Sequence, residues 1–155
     1  MSNHQKHPHV YDFLHQNPLG VLSTVAAGNK PWGSAVYFVV DNDLNFYFIT
    51  RKKTLKYKNI DQHAVAALTV TDEDSQTTVQ ATGTITHVPP QEYMDIVFTK
   101  LAGIRPKDEL DWAPPIEKVH QGDYMPLKLT PTRLQYANFK QQKFDVYDDY
   151  IQQII

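Results

Sequence analysis

Five cations and a hydroxyl crowd the stretch YFITRKKTLKYKN, residues 47–59. Arg51, Lys52, Lys53, Lys56 and Lys58 fall within eight positions, around Thr54. The first turn of a helix leaves backbone N–H groups free and carries a partial positive charge. Such a turn, joined by a hydroxyl and one or two cationic side chains, makes a pocket for an anion such as phosphate. Thr54 is placed to cap a helix, Lys56 lies two residues inside it, and Arg51 and Lys53 stand just before it, where the strand Phe48-Ile49-Thr50 delivers the chain. The same residues also read as a solvated basic turn and helix face. On their own they leave both readings open.

Other chemistries have less behind them. His4, His7 and His9 have a spacing that could hold a metal ion weakly, but they fall in a polar terminal stretch that reads as a loose tail. His63, His87 and His120 are isolated from one another in sequence, so no metal site is expected. Asp108, Glu109 and Asp111 read as solvated loop charges rather than a general base. No serine stands in a nucleophile-elbow context. Catalytic residues are not identifiable.

The 155 residues are 41% hydrophobic, one domain's length with material for a core. The formal net charge is -2, which argues against a general grip on nucleic acid. The chain has no cysteine, which excludes disulfides, thiolate nucleophiles and Cys-ligated metals. No apolar h-region and no membrane-length apolar run is visible, so a soluble, cytoplasmic protein is expected.

The elements that must position the basic stretch follow from periodicity. Residues 1–8 read as loose. Val10, Phe13 and Leu14 predict a short helix over 9–17, ended by Asn17-Pro18. LGVLSTVAA reads as a buried-type strand, GNKP as a turn, WGSAVYFVV as the second strand of a hairpin, and LNFYFIT as a third strand. A short helix over 53–63 has Leu55 and Ile60 as its apolar positions. AVAALTVT and TTVQATGTITHV are strands four and five, with Gly83 at a bulge. A helix over 91–103 and a long connector to residue 123 follow. YMPLKLTPTRLQYANF predicts two strands broken at Thr130-Pro131, and the tail a helix with Val146, Tyr150, Ile151 and Ile154 on one side. Six or seven closely spaced strands favour a mainly β fold, an antiparallel barrel with flanking helices, as a single domain over 1–155. Neither a G-x-G-x-x-G after a strand nor a P-loop is present. Trp32 and Trp112 either line a cleft or fill a core.

The order of these elements, from Val10 to Val88 with an echo at LKLTPTRLQYANF, resembles the pyridoxamine 5'-phosphate oxidase-like flavin-binding split-barrel superfamily. The resemblance implies flavin mononucleotide (FMN) as cofactor. It implies that Thr54 and Lys56 hold the phosphate, with Thr50, Arg51 and Lys53 beside them. The second-strand backbone, Ser34, Ala35 and Val36 within Gly33–Tyr37, would line the flavin ring. It also implies a homodimer with the flavins in clefts between the subunits. The chain departs from the oxidase proper in one respect. The Arg-x-His that grips the substrate near the oxidase's C-terminus is missing, Arg133-Leu134-Gln135 being the nearest approach, and the usual fifth-strand Gln falls on Thr78 with Gln80 close by. Two classes of function are therefore expected: an FMN-dependent oxidoreductase with an unidentified small substrate, or a non-enzymatic flavin or haem binder with a stress or storage role.

Overall fold

The computed structural model describes residues 1–89, 123–140 and 150–155. Its elements are α1 (Asn3–Lys6), α2 (Pro8–Gln16), β1 (Leu19–Ala26), β2 (Lys30–Val40), β3 (Phe46–Arg51), α3 (Leu55–Gln62), β4 (Val65–Asp72), β5 (Thr77–His87), β6 (Tyr124–Asn138) and β7 (Ile151–Gln153). All strand pairings are antiparallel, in the order β3-β2-β1-β4-β5-β6-β7, and β3 also pairs with β6. That last pairing closes β1–β6 into a six-stranded barrel with β7 added outside. The expected mainly β barrel with flanking helices is the fold observed.

The inward residues form one core, including Leu22, Phe38, Phe46, Phe48, Leu68, Leu127, Leu129 and Leu134. Helix α2 starts with Pro8, whose fixed φ suits the first turn, and adds Val10, Phe13 and Leu14 to that core.

Closure is incomplete between β2 and β3. The β2–β3 ladder contains only Val40↔Phe46, Val39↔Tyr47 and Phe38↔Phe48. Beyond Phe48, β3 continues to Arg51 paired with β6 alone, as far as Arg51↔Tyr124. Over Gly33–Val36, β2 is paired only with β1. The barrel is split at this seam. Extending the β2–β3 register puts Thr50 level with Val36, and Arg51 level with Ala35, across the gap.

Several expectations need correction. Strand β1 is not buried on both sides. Its side chains alternate, with Leu22 and Thr24 inward and Leu19, Val21 and Val25 exposed, because no element covers its outer face among the described residues. The 124–139 segment is one strand rather than two. Pro131, which has no N–H to give, sits at an irregularity where the partners of Thr82 and Gly83 jump from Arg133 to Pro131, so the ladder continues past it. Gly83 is at that bulge, as expected. A Cβ there would overlap the Thr130 carbonyl oxygen, so the two strands approach closely only because residue 83 is glycine. The expected C-terminal helix is not found over 151–153, which pair as β7 with β6 at Gln135–Ala137. That edge of β6 is free because β3 has ended its pairing at Leu129. The stretch expected to be a loose tail contains α1, held by a capping box at Ser2 and Gln5 and by the His4 N–H donating to Asn42 O at 2.8 Å. The expected helix over 91–103 and the connector to residue 122 lie outside the described residues.

Candidate anion-binding site

Strand β3 runs directly into the basic turn. Thr54 is the N-cap of α3, as expected: its Oγ1 accepts from the Tyr57 N–H at 3.4 Å. The same hydroxyl donates to Arg51 O at 2.7 Å and lies 3.2 Å from Thr50 Oγ1. Thr50 is only 2% exposed. The two threonines, one buried and one half-buried, thus form a hydroxyl pair that fixes the strand-to-helix turn. Thr54's own proton is committed to Arg51 O, so its first role is to cap the helix.

With Tyr57 N–H satisfied, the Leu55 and Lys56 amides remain, among the described residues, the open donors of the first turn. No acidic residue stands in that turn. Lys56 is half-buried, and burial alone pushes its ammonium below the usual 10.5. Among the described residues it has no ion-pair partner. Arg51 and Lys53 are exposed, and the Arg51 guanidinium lies over the Tyr124 ring, 5.5 Å from its centroid. Lys52 and Lys58 are exposed as well. A half-buried cation without an acid, beside two open amides at a helix N-terminus, suits a multiply charged anion.

What sets α3 against the barrel is a contact that sequence reasoning did not single out. Asn59, 2% exposed, donates from Nδ2 to Thr24 Oγ1 at 3.0 Å, and Thr24 donates on to Trp32 O at 3.4 Å. Helix, β1 and β2 are tied by one polar chain. Lys56 is three residues before Asn59 and four before the buried Ile60, so it shares the helix face turned toward the barrel. The available signal was an amide beside Ile60, in a helix whose expected apolar residue Leu55 proves exposed. Replacing Asn59 with Ala removes this buried hydrogen bond and should cost about 1–3 kcal/mol of stability. Urea denaturation of the variant against wild type measures the loss.

Across the seam, Val36 has its side chain in the core, Ser34 is half-buried and Ala35 is exposed. A ligand there meets mainly backbone and a methyl group. Trp32 is 48% exposed, which places it outside the core. Trp112, and the acidic residues 108–111, lie outside the described residues. The histidines of the N-terminal stretch are engaged in packing: His4 stacks on Tyr11 with centroids 4.0 Å apart, and His9 Nε2 contacts Gln152 Oε1 at 3.2 Å. His87 Nε2 contacts the Tyr57 hydroxyl at 3.3 Å. Among the described residues no three His, Cys, Asp or Glu side chains are grouped to hold a metal. None of the described helices is long and apolar enough to cross a membrane.

The family described as pyridoxamine 5'-phosphate oxidase matches residues 7–137. No curated protein matches the chain. Among solved structures, a pyridoxamine 5'-phosphate oxidase-related, FMN-binding protein from Nostoc punctiforme superposes with a TM-score of 0.61 at 14% identity, covering 94% of each chain. A protein related to general stress protein 26, from Clostridium acetobutylicum, gives a TM-score of 0.64 at 14% identity, covering 94% of this chain and 99% of its own. A heme-binding protein from Mycobacterium smegmatis gives 0.68 at 12% identity over 88% of this chain, and this chain spans about half of it (52%). At these identities the structures speak for the fold alone. The family match covers most of the chain and agrees with the split antiparallel barrel, so the chain belongs to the pyridoxamine 5'-phosphate oxidase family.

Proposed function

We propose that the protein binds FMN, with the phosphate at the start of α3 and the flavin ring along the unpaired edge of β2. The observation that carries this reading is Lys56, half-buried and without an acidic partner among the described residues, beside two open amides in the turn that leaves the split at Thr50 and Arg51. The donor set fits a phosphate dianion. The Lys56 ammonium and the Leu55 and Lys56 amides make the principal contacts, Arg51 and Lys53 add long-range positive charge, and the Thr50 and Thr54 hydroxyls hold the turn that presents them. The backbone of Ser34, Ala35 and Val36 provides the flat wall.

A bound flavin supplies the electron-transfer chemistry, and the protein supplies position and electrostatics. In this reading the protein is an oxidoreductase acting on a small substrate. Titration with FMN, followed by NAD(P)H-dependent turnover, is the test. The M. smegmatis neighbour, a heme-binding protein, supports a second reading: a non-enzymatic binder of a large planar cofactor.

The substrate differs from that of the oxidase proper. Arg133 Nε donates to Gln135 Oε1 at 3.1 Å on β6, and no histidine follows in Arg-x-His register. Pyridoxal phosphate formation from the pyridoxamine form should therefore stay at the no-enzyme background in a coupled assay. Turnover at the rate of a true oxidase would overturn this.

The same reading includes a homodimer. On the outer face, Leu19 (47% exposed), Val21 (48%), Val25 (37%) and Val65 (56%) form an apolar surface. The strand register sets Val21 beside both Ala35 and Thr69. Contiguous apolar faces of this kind mark association surfaces. A second copy seated here would cover the free β2 edge and convert the split into a cleft.

A further inference from the structure

Helix α3 borders a second concavity, separate from the anion-binding turn. A cavity of about 170 Å³ opens between α3 and the ends of β5 and β6. Its floor is made by Ile60, Ile85 and Leu127, all core residues 5% exposed or less. Its rim carries Tyr57, Asp61 and His87. An apolar cavity of about 150 Å³ accommodates a benzene ring, so this one is the size of a single ring rather than of a flavin.

The rim is negative. Asp61 has no ion pair or hydrogen bond among the described residues. It lies in the last turn of α3, where the helix dipole is also negative and where no basic residue stands. Tyr57, one turn earlier, is fixed by its hydroxyl contact with His87 Nε2 at 3.3 Å and offers an aromatic ring to a cation. One helix therefore presents positive charge at its start and negative charge at its end, the latter beside the cavity. We propose that the cavity is a second binding site, for a small organic cation with one ring or an equivalent apolar body. The floor takes the apolar part, and Asp61 with Tyr57 takes the charge.

Benzylamine, benzyl alcohol and benzoate are matched probes that differ in charge. Each is titrated into the full chain while backbone amide resonances are followed by NMR. Benzylamine should shift Ile60, Asp61, Ile85 and Leu127 saturably, and benzoate should bind at least tenfold more weakly. Asp61→Asn should bring benzylamine to within twofold of benzyl alcohol, while leaving FMN affinity unchanged. Ala64→Leu, at an exposed rim position, should block all three probes. Dispersed amide spectra establish that both variants are folded. Absence of saturable shifts, equal binding of benzylamine and benzoate, or shifts that survive Ala64→Leu would each overturn the proposal. The outcome does not depend on whether flavin binds.

Discussion

Lys56→Ala should weaken FMN binding by roughly 10- to 100-fold and leave riboflavin binding almost unchanged. A charge-assisted hydrogen bond is worth about 1.5–3 kcal/mol, and each 1.4 kcal/mol is about tenfold in affinity. Riboflavin has the ring but no phosphate, so it should bind the wild type weakly and lose little more in the variant. An exposed lysine without a ligand contributes only a few tenths of a kcal/mol, and in that case neither flavin would respond. Thr54→Val behaves differently, because that hydroxyl caps α3 and donates to Arg51 O. Its loss should lower stability by about 0.5–2 kcal/mol and weaken both flavins. The pH dependence has a definite sign. Burial holds the Lys56 ammonium below 10.5, so the phosphate-specific part of FMN affinity should be present while Lys56 is charged. It should fall as pH rises through that lowered value, before an ordinary lysine would titrate. Fluorescence titrations of both flavins across alkaline pH measure this.

Val21→Glu should convert a dimer into a monomer at micromolar concentration. Val21 lies at the centre of the outer apolar face, between Ala35 and Thr69, and 48% of it is exposed in the single chain. The free monomer accepts a carboxylate there at little cost. In a symmetric interface two carboxylates would be buried without partners, an expense large enough to weaken association by roughly 100-fold or more. FMN affinity should fall with it if the cleft needs the second copy. Sedimentation equilibrium with and without saturating FMN measures both effects. A wild type that stays monomeric with FMN bound would remove the shared cleft.

Much of this architecture was legible in the sequence because it rests on local signals. Thr54 before a basic helix, Asn17-Pro18 at a helix end and Gly83 in a long strand each specify backbone geometry by residue type. What was not legible depends on neighbours. Leu19, Val21 and Val25 look like core residues until the topology shows that no described element covers them. Pro131 looks like a strand terminator until a bulge accommodates it. Val146, Tyr150, Ile151 and Ile154 have a helical spacing, yet residues 151–153 take the edge of β6 that β3 vacates. At the candidate site, Thr54 as the cap of α3 was legible from residue type and order, and Lys56 was singled out with it from its chemistry. The Asn59–Thr24–Trp32 chain that seats the helix was missed, since its partners lie 35 positions apart in sequence. The open seam between β2 and β3 is a matter of where a ladder stops, which no single residue announces.

The measurement that bears most directly on the central claim is the visible absorption spectrum of the purified protein, before and after addition of equimolar FMN and removal of unbound ligand. FMN held at the start of α3 should give the two bands of an oxidised flavin, retained through the separation in wild type and lost in Lys56→Ala. A Soret band in the purified protein, or FMN that washes through wild type and variant alike, would contradict it.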